Sequence, residues 1–147
     1  MERTLVIIKP NAVQREIIGE IISRIEKRGF KITALKMLQI NKDLAAEHYR
    51  EHRAREFYQE LVDFITSGPC VIMILEGEKA VDIMRLVCGP TDPSKAMPGT
   101  IRGDYGIRIT QNVIHASDSL EAAEREIKLF FKEDEIIEYR LAAGAWI

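Results

Sequence analysis

The chain patterns as an α/β protein of the α+β sandwich kind, an antiparallel β-sheet covered by helices. Short apolar runs rich in branched residues are set between turn residues, as buried strands are. Longer stretches repeat their apolar residues at three- and four-residue spacing, as amphipathic helices do. The two kinds of segment interleave along the whole sequence.

Leu5 to Ile8 is the first strand, ended by Lys9 and Pro10 and followed by a loop. Ile17 to Arg28 carries Ile18, Ile21, Ile22 and Ile25 on one helical face, and Gly29 stands where helices turn left-handed. Lys31 to Ile40 alternates imperfectly and reads as a second strand. Asn41 or Asp43 then caps a helix running through Tyr49. Phe57, Leu61, Phe64 and Ile65 define another helix, stopped by Gly68 and Pro69. Cys70 to Leu75 is short, apolar and flanked by turn residues, as a central strand is, and Lys79 to Val87 follows as a helix. Between Gly89 and Gly106 lie three prolines and four glycines without periodicity, a loop of the length that usually serves function. Ile107 to Ile114 resumes strand character. Asp118 with Glu121 resembles a capping box opening a helix through Phe131, and the tail from Ile136 to Ile147 has no clear period. Setting the extra helices aside, the order is βαββαβ, the ferredoxin-like arrangement, with its helices expected on one face of the sheet.

A chain of 147 residues with 46% hydrophobic content suits one domain, residues 1–147, with a substantial core. Charged residues are 30% of the chain and nearly balanced, for a net charge of -2, so affinity for phosphate must be local and specific nucleic-acid binding is not expected. Cys70 and Cys88 form no CxxC pair, which suits reduced thiols and a cytoplasmic location. The apolar stretch near the N-terminus is too short for a signal peptide or a membrane span.

Neither GxxxxGK[ST] nor GxGxxG occurs, so phosphate would have to be held by side chains. Lys9, Arg85, Thr91 and Arg102 are the candidates, although a lone lysine or arginine is ordinarily solvated surface. Lys9 stands out because it ends a core strand. His115 interrupts an apolar stretch at a strand-to-helix junction. Alone it reads as a hydrogen-bonded structural histidine; chemically it suits a nucleophile, with one ring nitrogen free to attack while a partner fixes the other. Glu126 on the following helix is a candidate partner, the plain alternative being an exposed helix glutamate paired with a neighbouring cation. His48, Glu51 and His52 also spell H-x-x-E-H, an inverted zinc-protease pattern, but it fixes only three positions and no third ligand is evident. Its plain alternative is a charged, solvated helix end.

The segment NVIHASD, Asn112 to Asp118, closely resembles the active-site signature of the nucleoside diphosphate kinase family. TLVIIKPNAVQR, HYREH with the aromatic-rich helix after it, SGPCVIMILEG, RLVCGPTDPSKAMPGTIRGDYG and the closing Trp146 resemble further blocks of that family, in its order, from about residue 3 to residue 146. One departure is Asn11-Ala12 after Lys-Pro, where many relatives have Asp-Gly, alanine being the stiffer residue. The resemblance implies transfer of the γ-phosphoryl group of a nucleoside triphosphate, typically ATP, to a nucleoside diphosphate, in ping-pong fashion through a phosphohistidine on His115. It implies that Glu126 and Ser117 orient the His115 ring. By the same resemblance Arg85, Thr91, Arg102, Tyr49 and His52 contact phosphates, Lys9 and Asn112 contact sugar hydroxyls, and the base lies between Phe57 and Ile109 near Leu61. It also implies Mg2+ carried mainly on substrate phosphates, without dedicated protein ligands, and a homo-oligomer, hexamer or tetramer.

Overall fold

A computed structural model describes Met1–Ile147. Its sheet has four strands: β1 (Glu2–Ile8), β2 (Lys31–Leu38), β3 (Cys70–Gly77) and β4 (Ile114–Ala116), in the order β2-β3-β1-β4 with every neighbouring pair antiparallel. This is the ferredoxin-like order expected from the sequence. The helices are α1 (Pro10–Gln14), α2 (Ile18–Arg28), α3 (Lys42–His48), α4 (Tyr58–Ile65), α5 (Ala80–Cys88), α6 (Ile101–Tyr105) and α7 (Leu120–Phe130).

The helices cover both faces of the sheet, not the one face expected. Val6 and Ile8 of β1 with Val71, Met73 and Leu75 of β3 pack against Ile21 and Ile25 of α2 and Met84 of α5. Leu5, Ile7, Ile72 and Ile74 point the other way, into a second core with Ala45 of α3, Ile65 of α4 and Phe130 of α7. Alternate residues of one strand enter different cores because side chains alternate across a pleated strand. Unbroken apolar runs such as LVII and CVIMIL therefore mark strands buried on both faces.

Local signals set most boundaries. Gly29 ends α2 at φ 107°. The Asn41 side chain accepts from the Leu44 amide and caps α3. For α7 the capping residue is Ser119, whose side chain accepts from Ala122, one position beyond the Asp118 expected. The loop expected after β1 begins as α1, with Pro10 at its first position, where a missing N–H costs nothing. Ala12 of that helix is fully buried, and Asn11 Nδ2 donates to Gln111 O at 3.0 Å, so the departure at these two residues is built into the packing.

Two expectations fail around the long loop. Residues 89–106 hold a 3-10 turn, Pro93–Lys95, and α6, whose cap Thr100 accepts from the Gly103 amide. An ion pair from Arg24 of α2 to Asp104, at 2.6 Å, ties α6 down. The strand expected over Ile107 to Ile114 is mostly absent: Ile109–Gln111 is a 3-10 turn and only Ile114–Ala116 pairs with β1. Ile107 is 84% exposed and Ile109 54% exposed, so their apolar character does not reflect strand burial.

Candidate active site

His115 is the middle residue of β4, opposite Ile7 of β1. Its neighbours Ile114 and Ala116 enter the first core, so its ring lies on the opposite face, beneath α3 and α7. Nε2 of His115 lies 2.9 Å from Oε1 of Glu126, which the face shared by Ala123, Glu126 and Phe130 of α7 turns inward. Burial alone would raise the Glu126 carboxyl; the charge and hydrogen bond of His115 and the bond from Ser117 outweigh it and hold it at about 2. An ionised carboxylate can only accept, so Nε2 carries the proton and donates. The lone pair is thereby left on Nδ1, which has no hydrogen bond within the protein and is not sealed from the cavity.

Ser117 fixes the carboxylate in turn. Its Oγ donates to the same Oε1 at 2.7 Å and accepts from the Leu5 amide at 3.2 Å, while its own amide donates to Leu5 O at 3.1 Å. The relay Ser117–Glu126–His115 is thus anchored to β1.

Nδ1 of His115 opens on a cavity of about 450 Å³ lined by every sequence candidate except Ser117, which sits behind Glu126: Lys9, Tyr49, His52, Phe57, Leu61, Arg85, Thr91, Arg102, Ile109, Asn112, His115 and Glu126. Its walls divide by chemistry. Phe57, Leu61 and Ile109 form an apolar slot at the mouth. Lys9, Arg85 and Arg102 lie toward the histidine end, with Arg85 Nη1 donating to Ala116 O at 3.3 Å. Lys9 is buried; desolvation and the nearby Arg102 guanidinium bring its ammonium down to about 7. Its Nζ donates to Asn112 Oδ1 at 2.7 Å, and Asn112 Nδ2 donates to Thr91 O at 2.9 Å. The buried Tyr49 hydroxyl and His52 Nδ1 have no partner within the protein.

Arg102 does more than supply charge. Nε, Nη1 and Nη2 donate to the carbonyls of Asn112 (3.3 Å), Gly89 (2.8 Å) and Ile114 (2.6 Å). These bonds brace a strained segment. Val113 has φ 77°, costly for a branched residue, and Ile114 N donates to Asn112 O at 2.9 Å across it, making a γ-turn of the rarer hand.

The zinc-protease pattern does not assemble. The one group of three donors placed to share an ion is His48, His115 and Glu126, without His52 or Glu51. The sequence reading takes His48 only as part of that pattern or of a solvated helix end; it is buried instead, its ring edge-on to His115 at 4.7 Å between centroids. Its signal was the Ala45, His48, Tyr49 spacing, the buried stripe of α3 continued into its C-cap. Glu51, Arg55, Asp118 and Arg125 line the cavity as well; from sequence, Glu51 enters only within the zinc pattern and Asp118 only as a helix cap, and Arg55 and Arg125 are not singled out.

The model of the nucleoside diphosphate kinase family matches residues 2–136. The chain belongs to that family. It is 52% identical over 147 residues to a nucleoside diphosphate kinase of Archaeoglobus fulgidus, covering 100% of this chain and 97% of that protein. It is 58% identical over 145 residues to that of Pyrococcus horikoshii, covering 97% and 92%. Among solved structures, a halophilic nucleoside diphosphate kinase from Halobacterium salinarum in complex with CDP superposes with a TM-score of 0.97 at 48% identity, covering 99% of this chain and 97% of that one. A family member from Babesia bovis superposes with a TM-score of 0.95 at 42% identity.

Proposed function

We propose that this chain, folded as one domain over residues 1–147, moves the γ-phosphoryl group of a nucleoside triphosphate to a nucleoside diphosphate through a transient bond between phosphorus and Nδ1 of His115. The observation that carries this reading is the fixed tautomer: a carboxylate held at about 2 accepts a hydrogen bond from Nε2–H and leaves the Nδ1 lone pair facing a cationic cavity. Attack by Nδ1 breaks the bond from the γ-phosphorus to its bridging oxygen, and the nucleoside diphosphate leaves with that electron pair. Positive charge developing on the ring is met by Glu126. A second diphosphate then takes the phosphoryl group from Nδ1 and restores the imidazole, which makes the kinetics ping-pong.

Such a transfer passes through a loose transition state and depends on alignment and surrounding cations. Arg85, Arg102, Tyr49, His52 and Thr91 are proposed to meet the phosphates, and Lys9 and Asn112 the sugar hydroxyls. The slot between Phe57 and Ile109 offers apolar faces, so a base can stack there without its hydrogen-bonding edge being read, and broad base tolerance follows. For Mg2+ the cavity offers only the scattered carboxylates Glu51 and Asp118 beside the engaged Glu126. That donor set suits an ion brought in on the substrate phosphates, where it would neutralise charge and align them.

A homo-oligomer, tetramer or hexamer, is part of the proposal. Leu35 and Met37 of the edge strand β2 are exposed, a surface suited to a second copy. A cytoplasmic location accords with two free, buried cysteines, and no helix is long and apolar enough to cross a membrane.

The test is to incubate the protein with ATP labelled in its γ-phosphate and Mg2+. Acid-labile, alkali-stable label that a nucleoside diphosphate discharges, and that His115→Asn does not acquire, supports the route. Absence of label on folded, nucleotide-binding protein refutes it and leaves a binding module.

A further inference from the structure

We propose that His48, His115 and Glu126 form a binding site for a borderline divalent transition-metal ion, Zn2+ by its donor set, and that filling this site disarms the His115 nucleophile. The binding itself is independent of the phosphotransfer reading; only the inhibitory consequence rests on it.

Two observations converge. The donor atoms of the three side chains all lie within 4.8 Å of one another, with His115 Nε2 at 2.9 Å and His48 Nδ1 at 4.0 Å from the two Glu126 oxygens. Separately, both ring nitrogens of His48 are buried without a hydrogen-bond partner, in a side chain only 2% exposed. Buried polar atoms nearly always have a partner, so two orphans on one ring call for an occupant, an ion or a water. The rings of Tyr49, His115 and Phe130 lie around His48 without a hydrogen bond to it, and the nearer Glu126 oxygen is 4.0 Å from its Nδ1.

The chemistry favours an ion. Burial and the neighbouring His115 hold the His48 imidazole well below its ordinary range, so it is neutral and its lone pair is available. Two imidazoles and a carboxylate are a common zinc donor set, and the fourth position would open on the cavity. Bonds of about 2.1 Å in a tetrahedron place donors about 3.4 Å apart, so these need side-chain shifts of roughly 1 Å. Mg2+, a hard ion that favours oxygen and keeps its waters, is a poor competitor for two imidazoles.

The surroundings oppose a dication in part: Arg125 Nη2 lies 3.8 Å from Glu126 Oε2, and Lys9, Arg85 and Arg102 line the same cavity. Lys9 sheds most of its charge by pH 8, since its ammonium is held at about 7. Binding is therefore best measured at that pH.

The consequence for His115 follows from its tautomer. A metal ion on Nε2 replaces the hydrogen bond to Glu126, and the displaced proton moves to Nδ1 through solvent, without net proton release. Nδ1–H has no lone pair for phosphorus. Metal binding and phosphorylation at Nδ1 thus exclude each other.

The experiment titrates the intact, metal-free protein at pH 8 with Co2+, a coloured stand-in for Zn2+. The expected result is a visible d–d band that saturates at one ion per chain, is displaced by Zn2+, and is lost in His48→Phe and in His115→Gln. No band, a band that survives either substitution, or a thiolate-to-cobalt charge-transfer band from Cys70 or Cys88 overturns the proposal. Nitrogen-15 imidazole spectra of the unaltered protein with Zn2+ stand independently of whether the variants fold. Signals of His48 and His115 should move while those of His52 stay; stationary His48 signals overturn the site. Zn2+ should also block labelling by γ-phosphate. Metal-free protein that binds Co2+ yet takes no label would sink the phosphotransfer reading and leave the metal site standing.

Discussion

Replacing Glu126 by glutamine tests the central relay with the smallest change in shape. The carboxamide oxygen can still accept from His115 and Ser117, so the 2.9 Å and 2.7 Å contacts need not break, but the charge is gone. Attack by Nδ1 makes the ring cationic. A full unit charge about 4 Å from a carboxylate at an effective dielectric of 20 gains about 4 kcal/mol. A loose transition state develops roughly half of that charge, so its loss costs about 2 kcal/mol, or about thirtyfold in rate. A second loss adds to this. An amide can donate as well as accept, so the Nδ1–H tautomer is no longer excluded and part of the enzyme is unreactive. Rapid-quench measurement of phosphoenzyme formation should therefore show a fall of at least about thirtyfold, with nucleotide affinity little changed. The substitution also removes an acid limb from folding stability. Glu126 is held at about 2, below its ordinary 4.5, so its contribution is complete above the ordinary value and is lost as pH falls from there toward 2. In full it amounts to about 3 kcal/mol, of which about 2 kcal/mol is read as the change in urea stability between pH 6 and pH 3, wild type against variant. A variant labelled within about threefold of the wild-type rate would refute the assignment of Glu126.

Three further outcomes follow from the same geometry. Lys9 is held at about 7 against an ordinary 10.5, so the unfolded chain binds more protons across that window and stability rises with pH through it, by up to about 5 kcal/mol. Lys9→Met should flatten this slope in urea unfolding while weakening nucleotide binding. A Cβ on Gly103 would lie 2.0 Å from Met97 O, so Gly103→Ala should displace the segment before α6 and lower stability by at least about 2 kcal/mol in the same assay. Arg102→Lys keeps the charge but replaces three carbonyl bonds with at most one, so it should cost roughly 3 kcal/mol of stability and lower the labelling rate together.

The parts of this fold that were legible in the sequence are those where one local rule acts alone. Gly29 ends α2 because its φ is positive, and Asn41 caps α3 because its side chain reaches a free amide. The apolar run of β1 marked a buried strand and that of β3 a central one, although their unbroken character already implied cover on both faces. Failures came where tertiary pairing decides. Ile107 and Ile109 look like strand residues, yet one is largely exposed and the other lines the cavity, and strand pairing waits until Ile114. Asp118 and Ser119 are both competent caps, and the chain's path out of β4 selects the second. At the site, motif resemblance located His115, Glu126 and the cationic residues. It did not show His48 buried beside His115, because the one hint, its spacing from Ala45 in a charged helix, decides nothing until α7 is packed against it.

The placement of His115 depends on the residues assigned to the substrate. β4 is only three residues long and is entered through the strained γ-turn at Val113, a conformation that persists only where its surroundings hold it. Arg102 grips the carbonyls on both sides of that turn. The Lys9 amide donates to Val113 O at 2.9 Å, and the Lys9 ammonium, through Asn112, ties the turn to Thr91 in the long loop. Lys9, Arg102, Thr91 and Asn112 therefore hold the nucleophile's backbone and line the cavity its substrate would enter. Phosphates drawing on Arg102, or sugar hydroxyls drawing on Lys9, would pull on the same brace that aims the ring. A rate loss on substituting either residue therefore combines lost charge with a loosened nucleophile, and the conservative variants separate the two.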